Sequence, residues 1–253
     1  MGADWYDYIQ VDRFVAPESL QQFFSERFFY MPNMSYPSDT TRAPTRARSS
    51  RVACGLPDTG FVFCNFNNAY KILPDVFAVW MRLLAAVRGS VLWLLQTNAE
   101  QKRNLMREAA HAGIDPNRLV FAPTVPMAQH LVRYAVADLF VDTYPYGAHT
   151  TANDTLLVGL PLLTRVGDTL PSRIAAGHLN AIGLPELIAS DLESYEAVAL
   201  RVAHNPDELA TMRARLARNR HTHALFDMAT YTRDFEDGLV RLWSDHTAPI
   251  SSA

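Results

Sequence analysis

The chain has 253 residues, 49% of them hydrophobic and 19% charged, with a formal net charge of −3. That is enough for a substantial core and gives no long-range attraction to nucleic acid. No apolar run approaches the ~18 residues of a membrane helix, and the opening Met-Gly-Ala-Asp-Trp-Tyr lacks a secretory apolar core, so the expectation is a cytoplasmic protein with neither membrane nor nucleic-acid partners.

Residues 1–35 read as a fragment of a larger unit. Tyr8-Ile-Gln-Val-Asp12 has the character of a strand, and the stretch from Pro17 through Phe28 that of a helix with proline in its first turn. The aromatics Phe23, Phe24, Phe28, Phe29 and Tyr30 then need a partner surface. Residues 36–58 are rich in Ser, Thr and Pro and carry Arg42, Arg46, Arg48 and Arg51. They read as a solvated linker, because the interleaved aromatics that stack bases are missing. The domain expectation is residues 1–58 as the end of one lobe plus linker, and 59–253 as a second lobe.

From residue 60 a regular alternation begins. Apolar strands are expected at 61–64, 90–95, 118–122, 138–141 and 161–164. Helices are expected at 74–87, 99–112 (closed by Gly113), 127–135, 150–159 and 172–183. The strands are short and continuously apolar, as in a sheet covered on both faces. Strands alternating with helices imply right-handed βαβ units and a parallel α/β sheet. The tail is helical: 192–204, then a helix opened by Asn205-Pro-Asp-Glu, then roughly 230–243.

Ligands of such sheets sit beyond the carboxyl ends of the strands. Four polar clusters fall there: Asn65–Lys71, Pro123–Arg133, Gly147–Thr151 and Gly167–Arg173. In the third, Thr150 stands at an N-cap position and Asp154 about one turn into the helix. Free amides and a partial positive charge at that end suit a phosphate, and a nearby carboxylate suits a ribose hydroxyl, so the segment reads as a nucleotide-diphosphate site. Spacing alone leaves alternatives open. Lys71 could neutralise a leaving diphosphate or be a solvated lysine. His130 and Arg133 share a helix face, and His130 could stack on a base or lie exposed. His149 could face a ligand or close the loop. Cys54 and Cys64 form no CxxC, and the eight histidines are scattered, so neither a disulfide scaffold nor a metal site is expected. There is no GxGxxG, GxxxxGK[ST] or GxSxG motif.

Phe63-Cys-Asn-Phe-Asn-Asn-Ala-Tyr-Lys71, Ser90-Val-Leu-Trp-Leu-Leu95, Arg118-Leu-Val-Phe-Ala-Pro123 and His149-Thr-Thr-Ala-Asn-Asp154 together resemble protein O-GlcNAc transferases of bacterial type, as do Leu170-Pro-Ser-Arg173 and Leu225-Phe-Asp227. The resemblance runs over about residues 4–35 and 60–243. It implies the Rossmann-like C-terminal, donor-binding lobe of a GT-B glycosyltransferase, with a remnant of the N-terminal lobe. Transfer of N-acetylglucosamine from UDP-GlcNAc to Ser/Thr hydroxyls of acceptor proteins would follow, inverting and metal-independent, with UDP as product and no cofactor. On that resemblance Lys71 is the catalytic group beside the β-phosphate and Asn68 lies near the phosphates. Thr150 and Thr151 bind the diphosphate, and His149 faces the sugar. Asp154 holds the ribose, His130 stacks on uracil, Val125 offers backbone to the base, and Arg133 lies close by. Two positions depart from the family pattern: Met127, where animal members carry a ribose-contacting lysine, and Tyr146, where a cysteine lies beside the acetamido group. The resemblance also implies an N-terminal catalytic lobe and a TPR region, in the same enzyme or a partner chain, neither of which is in this sequence. A protein O-fucosyltransferase of SPINDLY type using GDP-fucose, and a noncatalytic nucleotide-sugar-binding module, are the alternatives.

Overall fold

The computed structural model describes residues 2, 5–42 and 49–247. Arg46 and Arg48 of the basic linker lie outside the described residues. Two parallel strands, β1 (Tyr8–Asp12) and β2 (Arg27–Met31), form a small sheet with Tyr8 opposite Arg27 and Asp12 opposite Met31. The helix expected from Pro17 onward is only a short 3-10 turn, Glu18–Phe23, because the aromatic run after it goes into β2, as aromatic side chains favour a pleated surface. Gln21 fixes the change: its amide nitrogen donates to the Glu26 carbonyl (2.8 Å) and its oxygen accepts from the Phe28 amide (2.9 Å).

The main sheet is entirely parallel, with β3 (Val62–Asn65), β4 (Val91–Leu95), β5 (Leu119–Ala122), β6 (Leu139–Val141), β7 (Leu162–Arg165) and β8 (Ile188–Ala189) in the order β5-β4-β3-β6-β7-β8. Every residue of β3 and β6 is buried, as their unbroken apolar character requires. Strand limits differ from the sequence expectation by about a residue. The two-residue β8 was not anticipated.

The connecting helices are α1 (Pro74–Ala86), α2 (Ala99–His111), α3 (Met127–Arg133), α4 (Thr150–Leu157) and α5 (Ile174–Ala181), followed by α6 (Leu192–His204), α7 (Pro206–Asn219) and α8 (Met228–Thr247). Their ends are specified locally. Pro74 opens α1. Asn98 caps α2 by accepting from the Gln101 amide (2.7 Å), and Asp191 with Ser194 forms a capping box on α6. Gly113, at φ +76°, turns the chain out of α2. α1 meets α6 through Trp80, whose indole N–H donates to the Tyr195 hydroxyl (3.3 Å).

The small sheet is seated on the main body. The Arg173 guanidinium donates to the carbonyls of Phe14 (2.8 Å) and Val15 (3.1 Å). Phe29 is buried against Gly238 of α8, where any side chain would collide with its ring. Of the five aromatics expected to need a partner surface, Phe23 is exposed, Phe29 is buried, and Phe24, Phe28 and Tyr30 are half-buried.

The linker expectation is also corrected. In the described part of 36–58, Ser38 is buried and donates to the Leu225 carbonyl (2.8 Å). Arg51 donates to the Val136 and Gly60 carbonyls and pairs with Asp138 at 2.7 Å. Apart from Gly60, these partners lie far away in sequence, so local composition carried no sign of them.

Candidate functional site

Strand order reverses between β3 and β6: the chain builds outward from β3 to β5 on one side and from β6 to β8 on the other. Loops leaving adjacent strands at such a switch point diverge and open a crevice at the carboxyl edge. The loop after β3 carries Asn67, Asn68 and Lys71; the loop after β6 carries residues 142–149 and runs into α4. Two of the four polar clusters read from sequence therefore flank the crevice directly, and the other two follow β5 and β7 on the same edge.

Lys71 ends a single 3-10 turn, Ala69–Lys71, whose bend is closed by its own amide donating to the Asn68 carbonyl (3.0 Å). Its ammonium donates to the Gly147 carbonyl (2.8 Å) and lies 3.9 Å from the centre of the Tyr146 ring, a cation–π contact. It thus reaches across the crevice to the turn three residues ahead of Thr150. Burial pulls its pKa below the ordinary lysine range, and the charge of Asp142 opposes that pull. Asn68 is exposed on the same turn.

Asp142 is the buried organiser of this turn. Its Oδ1 accepts from Asn67 Nδ2 (2.9 Å) and from the amides of Thr143 (2.8 Å) and Ala148 (2.9 Å). Its Oδ2 accepts from Thr164 Oγ1 (2.8 Å) and again from Ala148 (3.1 Å). The carboxylate joins the loop bearing Lys71, the loop bearing Gly147 and strand β7. Burial raises its pKa, while those donors act in the opposite direction. Sequence reading passed over Asp142 as a role-bearing residue. The available signal was an acid placed directly after an apolar strand, where it is buried by the sheet itself.

The start of α4 differs by one residue from the expectation. His149, not Thr150, is the N-cap, and no side chain among the described residues caps the helix. Asp142 holds the Ala148 amide, which sets the turn one residue early, so Thr150 becomes the first helical residue. The leading amides of α4 consequently keep the anion-binding character of an open helix end. His149 donates from Nε2 to the Pro171 carbonyl (3.1 Å), leaving Nδ1 as an acceptor, and burial lowers its pKa. The exposed Thr150 hydroxyl meets the Tyr36 hydroxyl at 2.9 Å. Thr151 is half-buried, and its carbonyl accepts from Thr155 Oγ1 (2.6 Å). Asp154 is 5% exposed and carries a linker residue on its carboxylate: Arg42 contacts both oxygens at 3.3 Å. Burial raises the Asp154 pKa and Arg42 lowers it.

On the far side of the crevice, His130 is half-buried with its ring 5.1 Å from Phe66 and 5.0 Å from Tyr134. Arg133 donates to its Nδ1, so the neutral ring carries its proton on Nε2, which donates to the Tyr134 hydroxyl (3.1 Å). Burial, then Arg133, bring its pKa down to about 4. Arg133 itself points inward. It is 6% exposed, donates to the Pro123 carbonyl (2.7 Å) and lies 4.6 Å from the Phe66 ring centre, so it braces His130. Val125 is half-buried in the loop before α3, and Met127 is 49% exposed. Arg42 lies within electrostatic reach of both His130 and Asp154, and Lys71 within reach of His149. The side chains thus form a row from His130 through Asp154 to the α4 end and Lys71. No group of three His, Cys, Asp or Glu that could hold a metal ion occurs among the described residues, and no helix among them is long and apolar enough to cross a membrane.

Residues 38–235 match the family model Glycosyl transferase family 41. A Caenorhabditis elegans UDP-N-acetylglucosamine–peptide N-acetylglucosaminyltransferase is 37% identical over 195 residues, covering 77% of this chain and 17% of the relative. A probable enzyme of the same name from Arabidopsis thaliana, SEC, is 30% identical over 251 residues, covering 97% and 26%. The chain therefore spans about a quarter or less of the length of these relatives. A solved mutant of Thermobaculum terrenum O-GlcNAc transferase superposes with a TM-score of 0.83 at 27% identity, covering 94% of this chain and 45% of that one.

Proposed function

Because the chain belongs to glycosyl transferase family 41, we propose that it is the donor-binding lobe of an enzyme moving N-acetylglucosamine from UDP-GlcNAc to Ser/Thr hydroxyls of proteins. The observation that carries this is the meeting of Lys71 with the turn ahead of α4, at the sheet's switch point. The uracil stacks on His130, with backbone of Val125 along its edge and Arg133 holding the imidazole. Asp154 takes the ribose hydroxyls in place of Arg42. The diphosphate lies on the open end of α4 at Thr150 and Thr151, with Asn68 and Lys71 opposite and His149 beside the sugar.

The reaction is a single displacement. An acceptor oxygen attacks the anomeric carbon from the face opposite UDP, the glycosidic C–O bond breaks, and its electron pair leaves on the β-phosphate. Negative charge grows on that phosphate as the bond lengthens. Lys71 and the helix amides are fixed beforehand, in a site partly withdrawn from water, so they stabilise the transition state more than the bound donor. The proton of the acceptor hydroxyl is taken by a group outside this chain. The rest of the enzyme, an N-terminal catalytic lobe and a TPR region that recruits acceptor proteins, completes the site in the cytoplasm.

Calorimetric titration of the chain with UDP, GDP and UDP-GlcNAc tests the reading. Saturable binding of UDP and UDP-GlcNAc, with GDP at least about tenfold weaker, is expected. No binding of UDP, or a preference for GDP, overturns it.

A further inference from the structure

Two consecutive residues of the turn ahead of α4, Tyr146 and Gly147, hold the Lys71 ammonium between them. The Gly147 carbonyl accepts from it at 2.8 Å, and the centre of the Tyr146 ring lies 3.9 Å away. An ammonium has three N–H donors. One is used on the carbonyl, and one side of the group faces the ring, which leaves a donor for an incoming anion. Both partners are neutral, so neither cancels the charge that such an anion would meet.

The ring is itself held. Thr143 Oγ1 donates to the Tyr146 carbonyl (2.9 Å) and accepts from Asn67 Nδ2 (2.9 Å). Asn67 stands on the loop that carries Lys71, so the ring and the ammonium sit on different loops that are tied together near their bases. The ring also meets His149 edge-on at 5.1 Å and lies tilted to Tyr70 at 6.3 Å. Tyr146 is 40% exposed and no part of the hydrophobic core, so filling space is not what fixes its position.

A lysine stem is long and rich in rotamers, and an unheld ammonium spends little time in any one place. An aromatic face attracts a cation without neutralising it, and a group fixed before its ligand arrives loses less freedom on binding. We propose that Tyr146 is a positioning residue for Lys71: its ring face pins the ammonium against the turn, so that the remaining N–H is aimed at the β-phosphate of a nucleoside diphosphate on the open end of α4. The proposal rests on the donor-site reading above. It differs from the Arg42 contact in kind, because Arg42 covers a charge the ligand needs, whereas Tyr146 leaves one uncovered.

The test compares UDP with UMP, which lacks the β-phosphate, by calorimetry on the whole chain. Tyr146→Leu should weaken UDP by about fivefold and leave UMP unchanged, while Tyr146→Phe should keep the parent's affinity for both. Phenylalanine analogues bearing one, two and three ring fluorines at position 146 hold the shape nearly constant and drain the ring face of electron density. UDP affinity should then fall stepwise with fluorination, a trend that a merely structural ring would not produce. NMR of ¹³Cε-labelled lysine supplies a readout that needs no nucleotide. The chain has only two lysines, Lys71 and Lys102, and the upfield ring-current displacement of Lys71 should vanish in Tyr146→Leu while the Lys102 signal stays in place. If the parent binds UDP and Tyr146→Leu binds it equally or better, or if the fluorinated series is flat, the proposal alone is overturned. If the parent binds no UDP, the donor-site reading falls and takes the proposal with it.

Discussion

Replacing Asp142 by Asn removes a charge and reverses one hydrogen-bonding atom while keeping shape. If the amide oxygen takes the Oδ1 place, it retains Asn67, Thr143 and one bond to Ala148. The NH₂ group then faces the Ala148 amide at the 3.1 Å position and the Thr164 hydroxyl, of which only the hydroxyl can turn to accept. Bonds to a charged group contribute about 1.5–3 kcal/mol each, and relief of a buried charge offsets part of the loss. A net destabilisation of about 2 kcal/mol follows, which for a chain of this size lowers Tm by about 4–8 °C. A second consequence is specific to Lys71. Without the opposing carboxylate its pKa falls further below the lysine range, so its charge is lost at lower pH. UDP affinity of Asp142→Asn should therefore approach the parent's at neutral pH, once the loss of folded protein is allowed for, and fall further behind it as the solution becomes alkaline. Scanning calorimetry and isothermal titration measure both. A variant with the parent's Tm and the parent's pH profile for UDP would show that Asp142 neither holds the turn nor supports the lysine.

Other substitutions test the remaining contacts. Arg42→Ala should raise UDP affinity up to about fivefold, since a partly exposed pair on Asp154 worth ~1 kcal/mol no longer competes; a drop would place Arg42 on the ligand. Asp154→Ala should weaken UDP by about 1–3 kcal/mol, and equal affinity would remove Asp154 from the site. In an enzyme with both lobes, Lys71→Ala should cut kcat far more than donor binding; a loss confined to donor affinity would contradict its role at the leaving group. His178, buried on α5, gives a pH dependence. Its folded pKa of about 3 lies below the ordinary histidine value of 6.5, so the unfolded chain takes up the proton more readily. The contribution of neutral His178 is whole above pH ~6.5 and is lost as pH falls toward ~3, at up to about 1.4 kcal/mol per pH unit. Denaturation of His178→Leu should show a shallower acid slope than the parent, and identical slopes would refute this.

Much of the main sheet was legible because its strands are continuous apolar runs separated by helices with ordinary caps and stops, and strands of that kind have one common solution. The carboxyl edge followed from that order, and with it the placement of Lys71, His130 and Thr150 on one side. Less could be read where long-range contacts decide. Arg42 finds Asp154 across 112 positions, and Ser38 finds Leu225 across 187, so a basic, Ser-rich stretch looked solvated. Thr150 looked like an N-cap by residue type, but the position was decided by Asp142 gripping the preceding amide. The segment after Pro17 had helical spacing and no knowledge of β1, whose edge drew Arg27–Met31 into a strand. β8, two residues long, is too short to leave a periodic trace.

The reversal of strand order has a bearing on how the molecule breathes. Both arms of the crevice grow from the middle pair, β3 and β6, while β5 and β8 form the rims. Opening fluctuations start where backbone groups have a neighbour on one side only. Rim strands can therefore fray and re-form while the central loops keep their spacing, and amide exchange should be slow beneath Lys71 and His149 even when it is fast at Ile188.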